Sequence, residues 1–348
     1  MAPEPPPGDD FIVDGAYATY PHCNGFLPGG SQMVVGDADR PGLHLVDVRR
    51  GAEKHPLLEL PDADGAIAWF DVALEVPLVA MAWAGRLLTL DLTDRTAGPR
   101  VLHSAGGHLD GLVGIAADGS RIAAIEQRGG DRVLIVVDAR TGAVDERLRL
   151  PADANHVQLS AADPDWIGFA HEGPAGDVDD RVQGHHPTDA PQGRVLFDQH
   201  RNAADPRHPL HVGHERWMFH RPGAVVVAYG DGPEPRGVWE APVDAPARLI
   251  SAGARDWHVG ISRDGARIVV DTTGPADLPG QGWQNASDRS SIIAIDAATG
   301  ERTVIGETRF APHPFHPHPS FTPDGTAVVH NHIDDAGRRG VALREVPR

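Results

Sequence analysis

A repeat limits the fold more than any other feature of this sequence. A turn followed by a short apolar strand recurs as FLPGGSQMVVG (26–36), IAADGSRIAAI (115–125), SAADPDWIGFA (160–170), FHRPGAVVVAY (219–229), ISRDGARIVVD (261–271) and FTPDGTAVVHN (321–331). In most copies an Asp-Gly or Pro-Gly pair supplies the positive φ of a tight hairpin turn. A second unit alternates with the first, a strand closing on Asp-x-x-x-Gly or a close variant: LHLVDVRRG (43–51), LLTLDLTDRT (87–96), VLIVVDARTG (133–142) and SIIAIDAATG (291–300). Together they predict four-stranded antiparallel blades roughly every 40–55 residues.

The expected fold is therefore all-β, a seven-bladed β-propeller with blades starting near residues 22, 64, 108, 156, 214, 258 and 316. The last blade is too short for four strands. FIVDGAYATY (11–20) is expected to add its outer strand and close the ring. No segment keeps apolar residues at helical spacing over three turns, so no substantial helix is expected. Residues 1–10 read as a disordered tail and 11–348 as a single propeller domain. The stretches 173–192 and 272–290 are long for blade loops and rich in Gly, Pro and Asp, and loops on a rigid scaffold are where function tends to sit.

Charge and cysteine content narrow the function class. The net charge of −18 argues against a nucleic-acid partner or an anionic membrane surface. The one cysteine, Cys23, permits no intrachain disulfide and reads as a small buried filler. The start MAPEPPPGDD lacks a basic, then apolar, leader pattern. No apolar run approaches the ~18 residues of a membrane span. A soluble, cytoplasmic protein of undetermined oligomeric state is the expectation. The sequon at Asn285–Ser287 carries no weight without a secretion signal. There is no Gly-rich phosphate loop before a helix, no Gly-x-Ser-x-Gly elbow and no cysteine-pair zinc motif.

The twenty histidines are placed non-randomly. His22, His258 and His318 each lie seven residues before a turn glycine. His156 lies eight before Pro164, His214 nine before Gly223, and His108 eleven before Gly119. Six of seven blades thus carry a histidine at or just before the innermost strand. The repeat would gather these side chains around one mouth of the central channel. The alternative for His22, His108 and His156 is hydrogen bonding between blades.

The run HPFHPHPSFTPDG (313–325) departs furthest from such a structural role. His316 and His318 are two apart, so an extended chain points them to one side. The prolines after His313, His316 and His318 favour extended backbone. His258, at the matching place in the neighbouring blade, is the natural fourth member. Neutral imidazoles suit zinc, manganese, iron, nickel or copper, and four nitrogens with open positions suit a six-coordinate ion better than tetrahedral structural zinc.

Several segments resemble the oligogalacturonate lyase family, seven-bladed propellers that cleave short pectic chains: HVQLSAADPDWIGFAHEGP (156–174), VDDRV (178–182), GHERW (213–217), HVGISRDGARIVVD (258–271) and HPHPSFTPDG (316–325). The resemblance covers residues 150–330 well and the first 110 loosely. It implies a manganese-type ion held by His258, His316 and His318. The family's glutamine ligand falls on His313 here, a departure that leaves zinc, nickel, iron or calcium as alternatives to manganese. It also implies His214 as the base and Arg181 as the catalytic arginine. His171, His156 and His22 are candidate substrate contacts. Glu172 would orient His171 or cap a turn, and His185 and His186 read as solvated loop residues. The implied reaction is β-elimination on a 4-linked uronate in an acidic oligosaccharide. A cation on the C6 carboxylate would stabilise the enolate-like transition state, and an imidazole would take the C5 proton. The alternatives are a lyase for another uronate glycan and a non-catalytic propeller that binds a sugar or a protein.

Overall fold

The structure, a computed structural model, describes residues 11–49, 53–61, 66–151, 153–230, 232–272 and 289–347. The expectations for the tail 1–10, for residues 273–288 of the loop 272–290, and for the sequon fall outside the described residues.

The chain forms seven antiparallel sheets, the blades of a β-propeller. Blade 1 comprises Ala16–Tyr17, Gln32–Asp37, Gly42–Asp47 and His55–Glu59. Blade 2 comprises Asp71–Val72, Leu78–Trp83, Arg86–Asp91 and Arg100–Ser104. In blade 3 the inner strand is split into His108–Leu109 and Gly114–Ile115, followed by Arg121–Arg128, Asp131–Asp138 and Val144–Leu150. Blade 4 comprises Ala154–Leu159, Ile167–His171, Val182–His186 and Ala190–Val195. Blade 5 comprises Val212–Trp217, Gly223–Ala228, Gly237–Pro242 and Arg248–Ala252. Blade 6 comprises Asp256–Ile261, Arg267–Thr272, Arg289–Asp296 and Arg302–Arg309. Blade 7 comprises Ser320–Phe321, Ala327–Ile333 and Arg339–Glu345, with Phe11–Asp14 as its outer strand.

The two repeated turns are built alike in different blades. Gly119, Gly265 and Gly325 take φ of 74°, 74° and 68°, and each N–H donates to the carbonyl three residues back at 2.8–2.9 Å. The preceding aspartates, Asp118, Asp264 and Asp324, accept from the backbone N–H two residues on. In the Asp-x-x-x-Gly turns, Asp138 and Asp296 accept from the N–H groups of Thr141 and Thr299 at 2.6 and 2.8 Å. Gly142 and Gly300 then close a 2.8 Å bond back to the aspartate carbonyl at φ of 76° and 74°.

Packing follows from period-two alternation on strands buried on both faces. In Arg121–Arg128, Ile122 and Ala124 pack against blade 2, while Ala123 and Ile125 pack against blade 4. Every pair of neighbouring blades has such a cluster, including the pair that closes the ring, where Val329 and Val341 of blade 7 meet Met33 and Val35 of blade 1. Gly168 leaves room for Trp217 of blade 5: a Cβ there would lie 1.7 Å from Trp217 Nε1.

Two expectations need correction. The segment 11–20 does close the ring, but it divides: Phe11–Asp14 joins blade 7, whereas Ala16–Tyr17 opens blade 1 ahead of the expected start at residue 22. The stretch 173–192 is not one long loop, because Val182–His186 is the third strand of blade 4 and Ala190–Val195 begins the fourth. Gln, Gly and His carry little strand preference, and burial between sheets overrides it here. One short helix, Gln199–Asn202, also occurs, capped by the Asp198 side chain. Among the described residues no helix is long and apolar enough to cross a membrane.

Candidate metal centre and active site

The inner strands are irregular where the histidines sit. Pairing shifts register between Asn155 and Gln158 in blade 4, between Gly213 and Glu215 in blade 5, and between Asp256 and Val259 in blade 6. Each interval contains a histidine: His156, His214 or His258. His156 and His214 take φ of 55° and 40°, and His318 of blade 7 takes 47°. A β-bulge of this kind re-aims one side chain out of the sheet. In blade 1 the inner strand is interrupted between Ala16–Tyr17 and a bridge at Phe26, and Tyr20 and His22 project from the interruption.

These distortions bring the rings together. Ring centres lie 4.6 Å apart for His258 and His318, 5.4 Å for His258 and His316, and 5.5 Å for His316 and His318. His214 lies 4.1 Å from His258, and His156 6.0 Å from His214 and 4.9 Å from His22. The Tyr20 ring stands among them, 4.8–6.3 Å from His22, His156, His214, His258, His313 and His318. Trp69 of blade 2 and Trp257 wall the group.

One donor atom from each of His258, His316 and His318 lies within 4.8 Å of the others, a spacing that can hold a metal ion. Buried His258 Nε2, His316 Nδ1 and both ring nitrogens of His318 have no hydrogen-bond partner. Unpaired buried nitrogens are costly unless something fills them, so the donor set fits a cation. His258 is oriented from behind: its Nδ1 meets Asp271 Oδ2 at 2.8 Å, and its backbone N–H donates to Oδ1 at 2.8 Å. Asp271 Oδ2 also accepts from the His318 N–H at 3.2 Å, so one carboxylate braces ligands from two blades. Complete burial pushes this carboxyl up to about 8. Burial also holds the His258 and His318 imidazoles well below their usual range, so they remain neutral donors. His313 stands at the outer edge of the group, its ring 3.8 Å from His316 and 5.0 Å from His318, outside the three-ligand set. His318 reaches the set through left-handed backbone rather than the extended chain expected before proline.

Beside this triad is a chain of polar groups. His214 Nδ1 lies 2.6 Å from Tyr229 Oη. Gly213 makes that contact possible, since a Cβ there would fall 2.0 Å from the same hydroxyl. Burial, then the nearby His258 and His156, holds His214 neutral. Arg181, 5% exposed, donates through Nη2 to Glu172 at 2.8 Å. Glu172 Oε1 also approaches His156 Nε2 at 3.3 Å, and His156 Nδ1 meets the buried Glu215 at 3.2 Å.

The sequence-expected residues do not all meet. His22, His156, His214, His258, His313, His316 and His318 share the cluster. His108 does not: it is exposed, 3.7 Å from Asp110, because its eleven-residue offset puts it on the outlying half of a split strand. His171 pairs with Asp180 at 2.6 Å, and no ring contact among the described residues joins it to the central histidines. Arg181 is buried and ion-paired to Glu172. Glu172 neither caps a turn nor orients His171, but links Arg181 to His156. His185 is buried on a strand, and His186 is mostly covered by Trp166. Cys23 is a buried free thiol. Sequence reasoning missed Tyr20, Glu215, Tyr229 and Asp271; only Asp271 had a local signal, as the polar end of an otherwise apolar strand.

No family model matches the sequence, and no curated protein matches it. Solved structures do. An oligogalacturonate lyase in complex with manganese superposes with a TM-score of 0.78 at 20% identity, covering 96% of this chain and 91% of that one. An oligogalacturonate lyase from Vibrio parahaemolyticus gives 0.77 at 17% identity, covering 96% and 92%. TolB from Acinetobacter baumannii gives 0.50 at 14%, covering 90% and 79%. At these identities the likeness establishes the propeller fold.

Proposed function

We propose that this chain is a metal-dependent lyase that cleaves a 4-linked uronate in short acidic oligosaccharides by β-elimination. The observation that carries the reading is the triad of His258, His316 and His318, with unpaired buried nitrogens facing one another and Asp271 behind them. The manganese held by a lyase of the same fold makes manganese the first choice, with zinc, nickel, iron or calcium as alternatives.

A divalent cation bound at this triad would neutralise the sugar's C6 carboxylate and lower the cost of the charge that builds there as C5 loses its proton. His214 is the base. In the tautomer whose Nδ1–H donates to Tyr229 Oη, the Nε2 lone pair is free to take that proton. Arg181, fixed by Glu172, offers a buried positive charge to a second carboxylate. His156 and His22 line the approach between these groups, and His171 stands one strand further out as a rim contact. The acidic surface does not oppose an anionic substrate, because the field inside the site is set locally by the cation and Arg181.

Incubating the metal-loaded protein with a panel of uronate oligomers tests the reading. Cleavage should produce the ultraviolet absorbance of a 4,5-unsaturated uronate, and His214→Ala should lower kcat by about 10²–10⁴. No absorbance gain on any uronate would leave a non-catalytic binding propeller as the better account.

A further inference from the structure

We infer that Glu172 stands in for the carboxylate of the substrate's second sugar and is displaced by it, so that this residue selects a uronate at that position. The inference rests on the lyase reading and deepens it at Arg181.

Glu172 uses only half of what the guanidinium offers. Nε and Nη2 lie on one edge of that group, and a carboxylate that takes both makes the paired contact for which arginine is suited. Glu172 Oε1 takes Nη2 alone, at 2.8 Å. Arg181 Nε is buried and has no hydrogen-bond partner. The same Oε1 is shared with His156 Nε2 at 3.3 Å, and Oε2 makes no hydrogen bond among the described residues. A buried donor left unpaired is costly, so a carboxylate that reaches both prongs is favoured over Glu172.

Exposure gives the direction of the exchange. The Arg181 side chain is 6% exposed and that of Glu172 31%, so the arginine is approached from the Glu172 side. Two carboxylates on one guanidinium would set like charges side by side where water is largely excluded. Exchange avoids this: the sugar carboxylate replaces Glu172, the charge around Arg181 is unchanged, and Glu172 turns out to solvent. Arg181 keeps its place meanwhile, because its N–H donates to Gln199 Oε1 at 3.0 Å and its carbonyl accepts from the His171 N–H at 2.8 Å. His156 stays held through Nδ1 by Glu215 at 3.2 Å. A neutral second sugar brings no charge to exchange and leaves Glu172 on the arginine.

Two measurements test this. In a crystal structure of manganese-loaded His214→Ala with an uncut di-uronate, the second sugar's carboxylate should lie on Arg181 Nε and Nη2, and Glu172 should have left them. Glu172 Oε1 still within hydrogen-bond distance of Nη2 would overturn the inference and leave the lyase reading in place. In solution, Glu172→Gln keeps the shape and removes the competing charge. Its KM for the di-uronate should fall about tenfold, while KM for the same compound methyl-esterified on the second sugar alone should stay within about twofold. A KM for the free acid that rises or does not move would mean that Glu172 only orients Arg181, and the inference would fall. If the glutamine variant does not fold, the crystal structure decides. Wild type inactive on every uronate would remove both the inference and the lyase reading.

Discussion

Three histidines of this protein, His156, His214 and His318, adopt left-handed backbone. For a residue with a Cβ that conformation costs about 1–2 kcal/mol. Such strain persists where surrounding packing imposes it, and here all three residues face one cluster. The histidines also couple stability to pH. Burial lowers His22 and His214 well below the usual imidazole range and takes His330 to about 3. In the unfolded chain each titrates near 6.5. Below that pH the unfolded state binds more protons than the folded one, so stability is full above about 6.5 and falls as pH drops. Each fully buried histidine should cost roughly 2 kcal/mol between pH 6.5 and 5. Urea unfolding of the metal-free protein should show its midpoint falling across that window. A midpoint constant from pH 7 to 5 would mean that these imidazoles are protonated in the folded state.

Among the elements, the loop from His313 to His318 is the one that must be rigid for a cation to bind, and a single side chain in the next strand fixes it. Asn331 is fully buried on Ala327–Ile333. Its Nδ2 donates to the carbonyls of Pro314 and His316 at 2.9 and 2.8 Å, and its backbone N–H donates to Pro317 at 2.7 Å. Its Oδ1 accepts from Ala18 N–H at 2.7 Å, two residues from Tyr20. One amide therefore ties the ligand loop to the segment that carries Tyr20 and His22. Asn331→Asp keeps the acceptor and removes the two donors to the loop. It should weaken metal binding by about 10–100-fold, measured by calorimetric titration with manganese. An unchanged affinity would show that the loop is held by its prolines and packing alone.

Over the whole molecule, the fold was legible because its turns are written locally: glycine at positive φ and aspartate two residues before the N–H it caps. The histidine convergence was legible because the spacing to those turns is preserved in His22, His258 and His318. His108 shows where spacing fails, since four extra residues split the strand and carry the side chain outward. The rest depends on contacts between distant parts of the chain. Tyr17 Oη accepts from the Ala68 N–H at 3.1 Å, and Ala18 bonds to Asn331 across the ring closure. No local pattern around Tyr20, Glu215 or Asn331 announces such partners. The same closure places the divided N-terminal segment in two blades, with Ile12 and Val13 of blade 7 buried in a cluster shared with Met33 and Val35 of blade 1. The claim on which the whole account depends is that imidazoles from blades 6 and 7 hold one cation at the mouth of the ring. Titrating metal-free protein with manganese, followed by electron paramagnetic resonance, tests it most directly. Wild type and His108→Ala should bind one ion per chain at the same affinity, while His258→Ala and His318→Ala should each lose that site. Undiminished binding by both triad variants would contradict the account.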